Sequence, residues 1–437
     1  MLGECGGPGT GCEMTARSTW PVVRLGDYVD LLAGFAFKSS GFTDNSEDVP
    51  LVKGDNVQQG YIDWGRAKRW PREASTALSK FRLASGDVVL AMDRPWVEAG
   101  LKLAWVKRSD PEALLVQRVS RLRGVNGLDT TFMRYVLCSQ SFTNYIRPIV
   151  TGINVPHISP GQIRDFKFIL PPLAAQRHIA SILSAYDDLI ENNTRRIAIL
   201  EEMARRIYEE WFVRFRFPGH EQVKMVESEL GLIPEGWRVV PLGDVSAINA
   251  KSIRPANAPD EILYIDIASV VPGAITQKQP YRFSEAPGRA RRVVQNGDVI
   301  WSCVRPNRRS YALVLQAEAA LVASTGFAVL SAKSVPYSYL YFAVTTDDFV
   351  GFLTNHATGA AYPAVTASTF ESAPFLMPEK EVADRFHAVA ALMLDLSETL
   401  KRKNTNLRAT RDLLLPKLIS GELDVSTLPE PEEAIAA

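Results

Sequence analysis

The sequence predicts an α+β protein written twice: two pseudo-repeated domains of strands and short helices, each followed by one long helix. Three observations carry that expectation. Blocks of residues recur in the same order in both halves of the 437-residue chain. Two long stretches repeat apolar residues at alternating steps of three and four. The segments before each stretch break into apolar runs of strand length near turn residues.

The repeat is visible by eye. Trp20-Pro-Val-Val-Arg-Leu-Gly-Asp27 returns as Trp237-Arg-Val-Val-Pro-Leu-Gly-Asp244, and Gly86-Asp-Val-Val89 as Gly297-Asp-Val-Ile300. An Arg-Pro pair follows each of the latter, Arg94-Pro95 and Arg305-Pro306. Thr151-Gly-Ile-Asn-Val-Pro156 is matched by Thr358-Gly-Ala-Ala-Tyr-Pro363, and Phe168-Ile-Leu-Pro171 by Phe375-Leu-Met-Pro378. The offset drifts from 217 to 211 to 207 and then holds at 207. Drift means loop-length differences between two copies of one fold; the constant part is an element that tolerates no insertion.

That element is a helix in both copies. Ile179, Ile182, Tyr186, Leu189, Asn193, Arg196, Leu200, Met203 and Ile207 form one stripe. Phe386, Val389, Met393, Leu396, Leu400, Lys403, Leu407, Thr410 and Leu414 form the other, each 207 residues further on. A mean spacing of 3.5 predicts a coiled-coil seam, the alternative being two surface helices packed on their own domains. A helix of this length spans ~55 Å at ~1.5 Å per residue. The seam turns polar at Asn193, Arg196 and Lys403, where such residues can fix register.

Before the helices, Asp87–Met92, Leu101–Val106, Asp298–Trp301 and Tyr311–Leu315 read as strands, and 131–145 and 338–353 as short helices. Phe217-Pro-Gly and Ile233-Pro-Glu-Gly mark a linker. The expected organisation is a disordered extension over 1–19, a first domain over 20–172, a long helix over 173–213 and a linker over 214–236. A second domain over 237–378, a second long helix over 379–421 and an acidic disordered tail over 422–437 follow.

Composition narrows function. The chain is 46% apolar, enough for two or three packed domains, and 22% charged, with no apolar run near the ~18 residues of a membrane span and no signal-peptide core. A cytoplasmic protein is expected. Cys5, Cys12, Cys138 and Cys303 form no CxxC, and His157, His178, His220, His356 and His387 form no i,i+4 pair or HExxH, so neither a zinc ribbon nor a helix-borne metal site is expected. Forty-nine bases balance forty-nine acids only in total. From Lys53 to Arg123 there are 14 Lys/Arg against 8 Asp/Glu, and from Arg282 to Arg309 seven against two. Two basic stretches fit contact with a polyanion at two places; solvated surface charge is the alternative.

The order of motifs in the duplicated chain resembles the specificity subunit of type I restriction-modification systems. The likeness rests on Leu170-Pro-Pro-Leu-Ala-Ala-Gln176 running into Ile179-Ala-Ser-Ile-Leu183, and on Asp187-Asp-Leu-Ile-Glu-Asn-Asn193. It continues in Gly231-Leu-Ile-Pro-Glu-Gly-Trp237 and in Leu415-Pro-Lys-Leu-Ile-Ser-Gly-Glu-Leu423, and spans residues 20 to 423. The resemblance implies two target-recognition domains, each reading one half of a split double-stranded DNA sequence, separated by an antiparallel coiled coil of the two long helices. It implies that the helices dock two modification subunits, which carry S-adenosylmethionine and methylate adenine, with restriction (helicase-nuclease) subunits joining in some systems. An antiparallel pair would place a pseudo-twofold axis near Arg196 and Lys403, matching the approximate dyad of duplex DNA. Residues 1–19 match nothing in the family and are expected to be an extension or a misplaced start near Met14.

Phosphate contacts need Lys or Arg, and base reading favours Arg on guanine and Asn or Gln on adenine. Arg94 and Arg305, each just after a predicted strand, are the first candidates, with Arg308 and Arg309 beside the second; a salt bridge at a strand end is the alternative for Arg94 and Arg305. Lys53, Asn56, Arg66, Lys68, Arg69 and Arg72 interleave with Tyr61, Trp64 and Trp70, aromatics read as core rather than as stacking platforms. Thr151, Gly152 and Asn154, with Thr358 and Gly359, are loop-like and could meet phosphate through backbone N–H groups. His157, matched by Ala364, reads as structural.

Two rivals come from other classes. An autonomous methyltransferase needs a cofactor loop and an Asn/Asp-Pro-Pro-aromatic turn, and Leu170-Pro-Pro-Leu173 lacks both polar and aromatic ends. A nuclease needs clustered carboxylates near a lysine, and Asp165-Phe-Lys167 stands without them; no Walker A sequence occurs. The chain is thus expected to be non-catalytic and to hold no cofactor. A scaffold that reads no bases explains the helices but not two unlike domain copies, whose divergence favours a bipartite, asymmetric target.

Overall fold

The recurrence of residues is a recurrence of strand pairing. Val22–Arg24 runs antiparallel to Lys167–Ile169 with Val23 opposite Phe168, and Arg238–Pro241 runs antiparallel to Pro374–Met377 with Val240 opposite Phe375. The computed structural model describes residues 20–97, 100–149 and 156–425. Each half holds a four-stranded antiparallel sheet in the same order: Val29–Ala33, Val119–Gly124, Val88–Ala91 and Leu103–Trp105 in the first, Ser246–Ile248, Phe327–Ala332, Val299–Ser302 and Tyr311–Leu313 in the second. Val88–Ala91 and Val299–Ser302 are buried at every residue, as continuous apolar runs inside a sheet must be.

The halves diverge in a second sheet. It has three strands in the first half, Arg69–Trp70, Val49–Val52 and Leu114–Leu115, and four in the second, Gln279–Arg282, Glu261–Ile265, Leu321–Ser324 and Ala290–Val293. In both, one pairing is parallel, Leu51 beside Leu114 and Leu263 beside Leu321.

Each short helix predicted before the long one is two. Thr130–Cys138 and Gln140–Ile149 meet at Ser139, and Tyr337–Ala343 and Asp347–Asn355 meet just before the second, at Thr346. The Ser139 hydroxyl accepts from the Phe142 N–H and the Thr346 hydroxyl from the Phe349 N–H, so equivalent residues restart the helix. Apolar periodicity alone does not register such a break. The linker also holds more structure than expected: Met225–Ser228 and Gly231–Pro234 form an antiparallel hairpin.

The first long helix spans Leu173–Tyr208 and continues as a π turn over Glu209–Val213; the second spans Lys380–Ser420 and ends at Gly421, whose φ of 75° is left-handed. Gln176, buried near the first helix start, accepts from the Asp129 N–H and donates to the Gly127 and Pro171 carbonyls, which accounts for its place in the Pro-Pro-Leu-Ala-Ala-Gln motif. The chain divides into two units, Met1–Ile190 with Asn406–Ala437, and Glu191–Thr405. The helices therefore do not stand apart as a separate body. In the first unit Ile179 and Leu183 share a core with Leu415, Leu418 and Val425. In the second, Ala204, Tyr208 and Phe212 share one with Phe386, Ala390 and Leu394, where Phe212 lies 4.6 Å from the Tyr339 ring.

Within the second unit Asn193 meets Asn404 and Glu201 meets Ser397, so the helices run antiparallel there. Of the expected seam residues, Ile179, Asn193, Phe386 and Leu400 are buried, and Ile182, Tyr186, Leu200, Ile207, Met393, Leu407 and Leu414 are half-buried. Leu189, Val389 and Leu396 are exposed, as are Arg196, Met203, Lys403 and Thr410. The buried positions there lie one residue on, at Ile190, Ala204, Ala390, Ser397 and Asn404. Helices packed against a globular core bury a wider face than a strict two-position seam, and small or polar residues supply the missing edge.

Candidate nucleic-acid interface

The sheet strands Val88–Ala91 and Val299–Ser302 deliver two equivalent loops. Arg94 and Arg305 both adopt left-handed backbone, with φ of 45° and 51°. Such a conformation costs a residue with a Cβ about 1–2 kcal/mol. Each is held by the same contact: the Arg94 N–H donates to the Pro156 carbonyl and the Arg305 N–H to the Pro363 carbonyl, both at 2.7 Å. The single bridges Asp93 to His157 and Val304 to Ala364 close the same join in both halves. Among the described residues neither guanidinium forms a salt bridge. The same left-handed backbone thus recurs at the same place in two diverged copies.

In the second unit the loop is densely basic. Pro306–Arg308 forms one 3-10 turn and Arg309 is again left-handed, at φ 56°. Arg308 is exposed, and Arg309 pairs with exposed Asp347 at 2.5 Å, a bond that a phosphate can replace because surface pairs are worth only about 0–1 kcal/mol. The Arg305 guanidinium donates to the Ala361 carbonyl at 3.1 Å and lies 4.5 Å from the Tyr362 ring centroid. Paired Thr358 and Ala364 N–H and carbonyl groups close the loop that carries Tyr362, and Gly359, at φ 102°, makes its turn. Tyr362 is 69% exposed. Thr358 and Gly359 are thus brought beside Arg305.

In the first unit Arg94 is exposed, and Asp93 binds His157 Nδ1 at 2.5 Å and lies 3.6 Å from Arg118. His157 is therefore tied into the join, as its reading as structural requires. Arg118 is left-handed, at φ 70°, and Lys102 donates from Nζ to the Gly54 carbonyl. Burial pushes the Lys102 ammonium down, and the nearby Arg94 charge adds to that while Asp55 opposes it. Thr151, Gly152 and Asn154 lie outside the described residues.

From Lys53 to Arg72 the basic side chains also have partners at the surface. Lys53 pairs with Asp55, Arg66 with Asp63, Lys68 with Asp44 and Arg72 with Glu112, while Arg69 donates to the Asp48 carbonyl. Asn56 is 1% exposed, accepting from the Lys53 N–H and donating to the Leu51 carbonyl, so its amide is committed to the fold and does not face a base. Trp64 and Trp70 pack as core residues; Tyr61 is exposed.

Sequence reasoning missed Tyr362, Arg118 and Lys102. The signal for Tyr362 was present in the matched loops, where Val155 stands in the first copy. For Arg118 there was none, since its backbone sign is set by tertiary contact. Each unit also carries exposed apolar residues on its helices. Leu189, 54% exposed, lies on the first unit, and Ile199, Met203, Val389, Leu392 and Leu396 on the second, the last at a position equivalent to Leu189. No described helix is long and apolar enough to cross a membrane.

The type I restriction modification DNA specificity domain is the family whose model matches, over residues 17–202. The type I restriction enzyme MjaVIII specificity subunit of Methanocaldococcus jannaschii is 32% identical over 189 residues, 43% of this chain and 44% of that protein, so the chain spans under half the length of that relative. The MjaIX specificity subunit of the same organism is 23% identical over 312 residues, 69% of this chain and 71% of that one. The crystal structure of the S subunit of a type I restriction-modification system from M. genitalium shares the fold, with a TM-score of 0.59 at 13% identity, covering 94% of this chain and 98% of that one. The chain is thus similar, over residues 17–202, to the type I restriction modification DNA specificity domain, and over most of its length it shares the fold of an S subunit.

Proposed function

We propose that the chain is the DNA sequence-recognition subunit of a cytoplasmic type I restriction-modification complex and is itself non-catalytic. Each domain reads one half of a bipartite, asymmetric double-stranded target. The antiparallel long helices set the spacer and dock two modification subunits, which bring S-adenosylmethionine; restriction subunits join where the system has them. The observation that carries this reading is the strained Arg-Pro loop, held by the same N–H to proline contact in two domains whose second sheets differ. A shared anchor on unlike domains suits a ligand whose backbone is uniform and whose sequence is not. The exposed apolar residues of the helices support the docking of partner subunits.

The test uses the chain alone and the chain co-expressed with a modification subunit. The purified chain is expected neither to bind S-adenosylmethionine nor to methylate DNA, and the complex to methylate one split motif. Methyl transfer by the chain alone, or a complex that methylates without sequence preference, would overturn the proposal.

A further inference from the structure

The two recognition loops share one residue and differ in another, and the difference divides their labour. Arg94 and Arg305 coincide in sequence, in left-handed backbone and in the proline carbonyl that each N–H meets. Two domains reading different half-sites have only the sugar-phosphate backbone in common, so a residue kept in both belongs on phosphate. Tyr362 has no such counterpart, because the equivalent position is Val155.

Tyr362 is also an unusual surface residue. A large aromatic ring 69% exposed has left much apolar area in water, and here it sits in a closed loop rather than on a mobile end. One face is covered by the Arg305 guanidinium at 4.5 Å, and that guanidinium is itself tied to the Ala361 carbonyl. Ring and cation are thus held together, the tyrosine remains largely open to solvent, and the turn that follows Arg305 carries Arg308 and Arg309. An arginine on phosphate would carry this ring to the groove edge, where apolar contact and a hydroxyl can discriminate a base pair.

We infer that Tyr362 is a specificity-determining residue of the second domain, contacting a base pair of the second half-site, while Arg305 and its equivalent Arg94 anchor phosphate. This rests on the DNA-recognition reading above. Because Tyr362 is exposed, its replacement leaves the core intact.

The test is made on the complete complex with its modification subunits. Methylome sequencing of cells carrying the wild-type complex defines the motif. Duplexes carrying that motif, or single substitutions within it, then serve as probes for binding across a range of salt. Tyr362→Ala is expected to lower discrimination at one base pair of the second half-site about tenfold, leaving the first half-site and the salt slope unchanged. Arg305→Ala is expected to weaken binding to every duplex alike and to reduce the salt slope by about one counterion. If Tyr362 only props Arg305, Tyr362→Ala will copy Arg305→Ala, uniform loss with a lower slope, and the inference is overturned. Unchanged discrimination in Tyr362→Ala overturns it as well. A wild-type complex that yields no split motif fails at the earlier step and removes the DNA-recognition reading together with the inference.

Discussion

Asp87 and Asp298 occupy the same Gly-Asp turn of the two repeats and are both buried, yet their surroundings differ. Asp87 accepts from the Ala84 N–H and is bridged by Arg123, whose Nη2 donates to it at 2.8 Å. Ser331 stands where Arg123 would be, so Asp298 has a hydroxyl and the Gln295 N–H for company, and burial pushes its carboxyl up despite them. Asp87→Asn is therefore expected to destabilise the first domain by about 2 kcal/mol, less than a fully buried pair because Arg123 is partly exposed. Asp298→Asn should change stability by under about 1 kcal/mol at neutral pH or increase it. The pH dependence has a definite sign. A carboxyl raised in the folded state binds its proton more tightly there, so its contribution is fully present below its unfolded pKa and is lost as pH rises through the folded one. Urea unfolding of wild type and Asp298→Asn across that range checks this: the advantage of the variant should grow with rising pH, and a difference that shrinks would be the wrong sign.

The long helices are held by polar contacts as well as apolar ones. Asn193 Nδ2 donates to Asn404 Oδ1 at 2.9 Å, and Asn404 Nδ2 to Thr194 Oγ1 at 3.2 Å, both asparagines being buried. Glu201 accepts from Ser397 and pairs with Lys401 at 2.6 Å, while Asp187 in the first unit gathers Tyr135, Arg134 and Arg411. Asn193→Leu is expected to cost about 1–2 kcal/mol by stranding part of the Asn404 amide, and adding Asn404→Leu to recover most of it. A double-mutant cycle on thermal unfolding should return a coupling of about 1 kcal/mol, and simple additivity would show that the pair does not act as a unit. The buried amides explain why the predicted seam was displaced. Reading apolar residues alone selects Leu189, Val389 and Leu396, whereas the packed edge is made by Ala390, Ser397 and Asn404.

At the scale of the molecule, the constant offset of 207 through both helices makes matched insertion possible. One whole heptad added after Arg196 and another after Lys403 lengthens each helix by ~10 Å at ~1.5 Å per residue. Along a duplex that length corresponds to ~3 base pairs at ~3.4 Å each. If the helices set the spacer, methylome sequencing of cells carrying an active insertion variant should show both half-sites unchanged and the gap between them longer. An identical gap would remove the helices from that role. Arg94→Ala and Arg305→Ala belong to this scale too, since each should lower occupancy of the whole split target rather than of one half.

Short-range pattern and copying make one part of the fold readable before any coordinates. The duplication, the Val88–Ala91 and Val299–Ser302 strands, the two long helices and the equivalence of Arg94 with Arg305 were legible because periodicity and repetition survive without coordinates. Only packing decides which basic residues meet acidic partners. Arg66, Lys68 and Arg72 meet carboxylates at distant positions or across a turn, and Asn56 turns inward, none of which composition can show. It also decided the left-handed backbone of Arg94, Arg118 and Arg305, because a residue with a Cβ takes that conformation only where surrounding contacts, here the Pro156 and Pro363 carbonyls for two of them, outweigh its local cost.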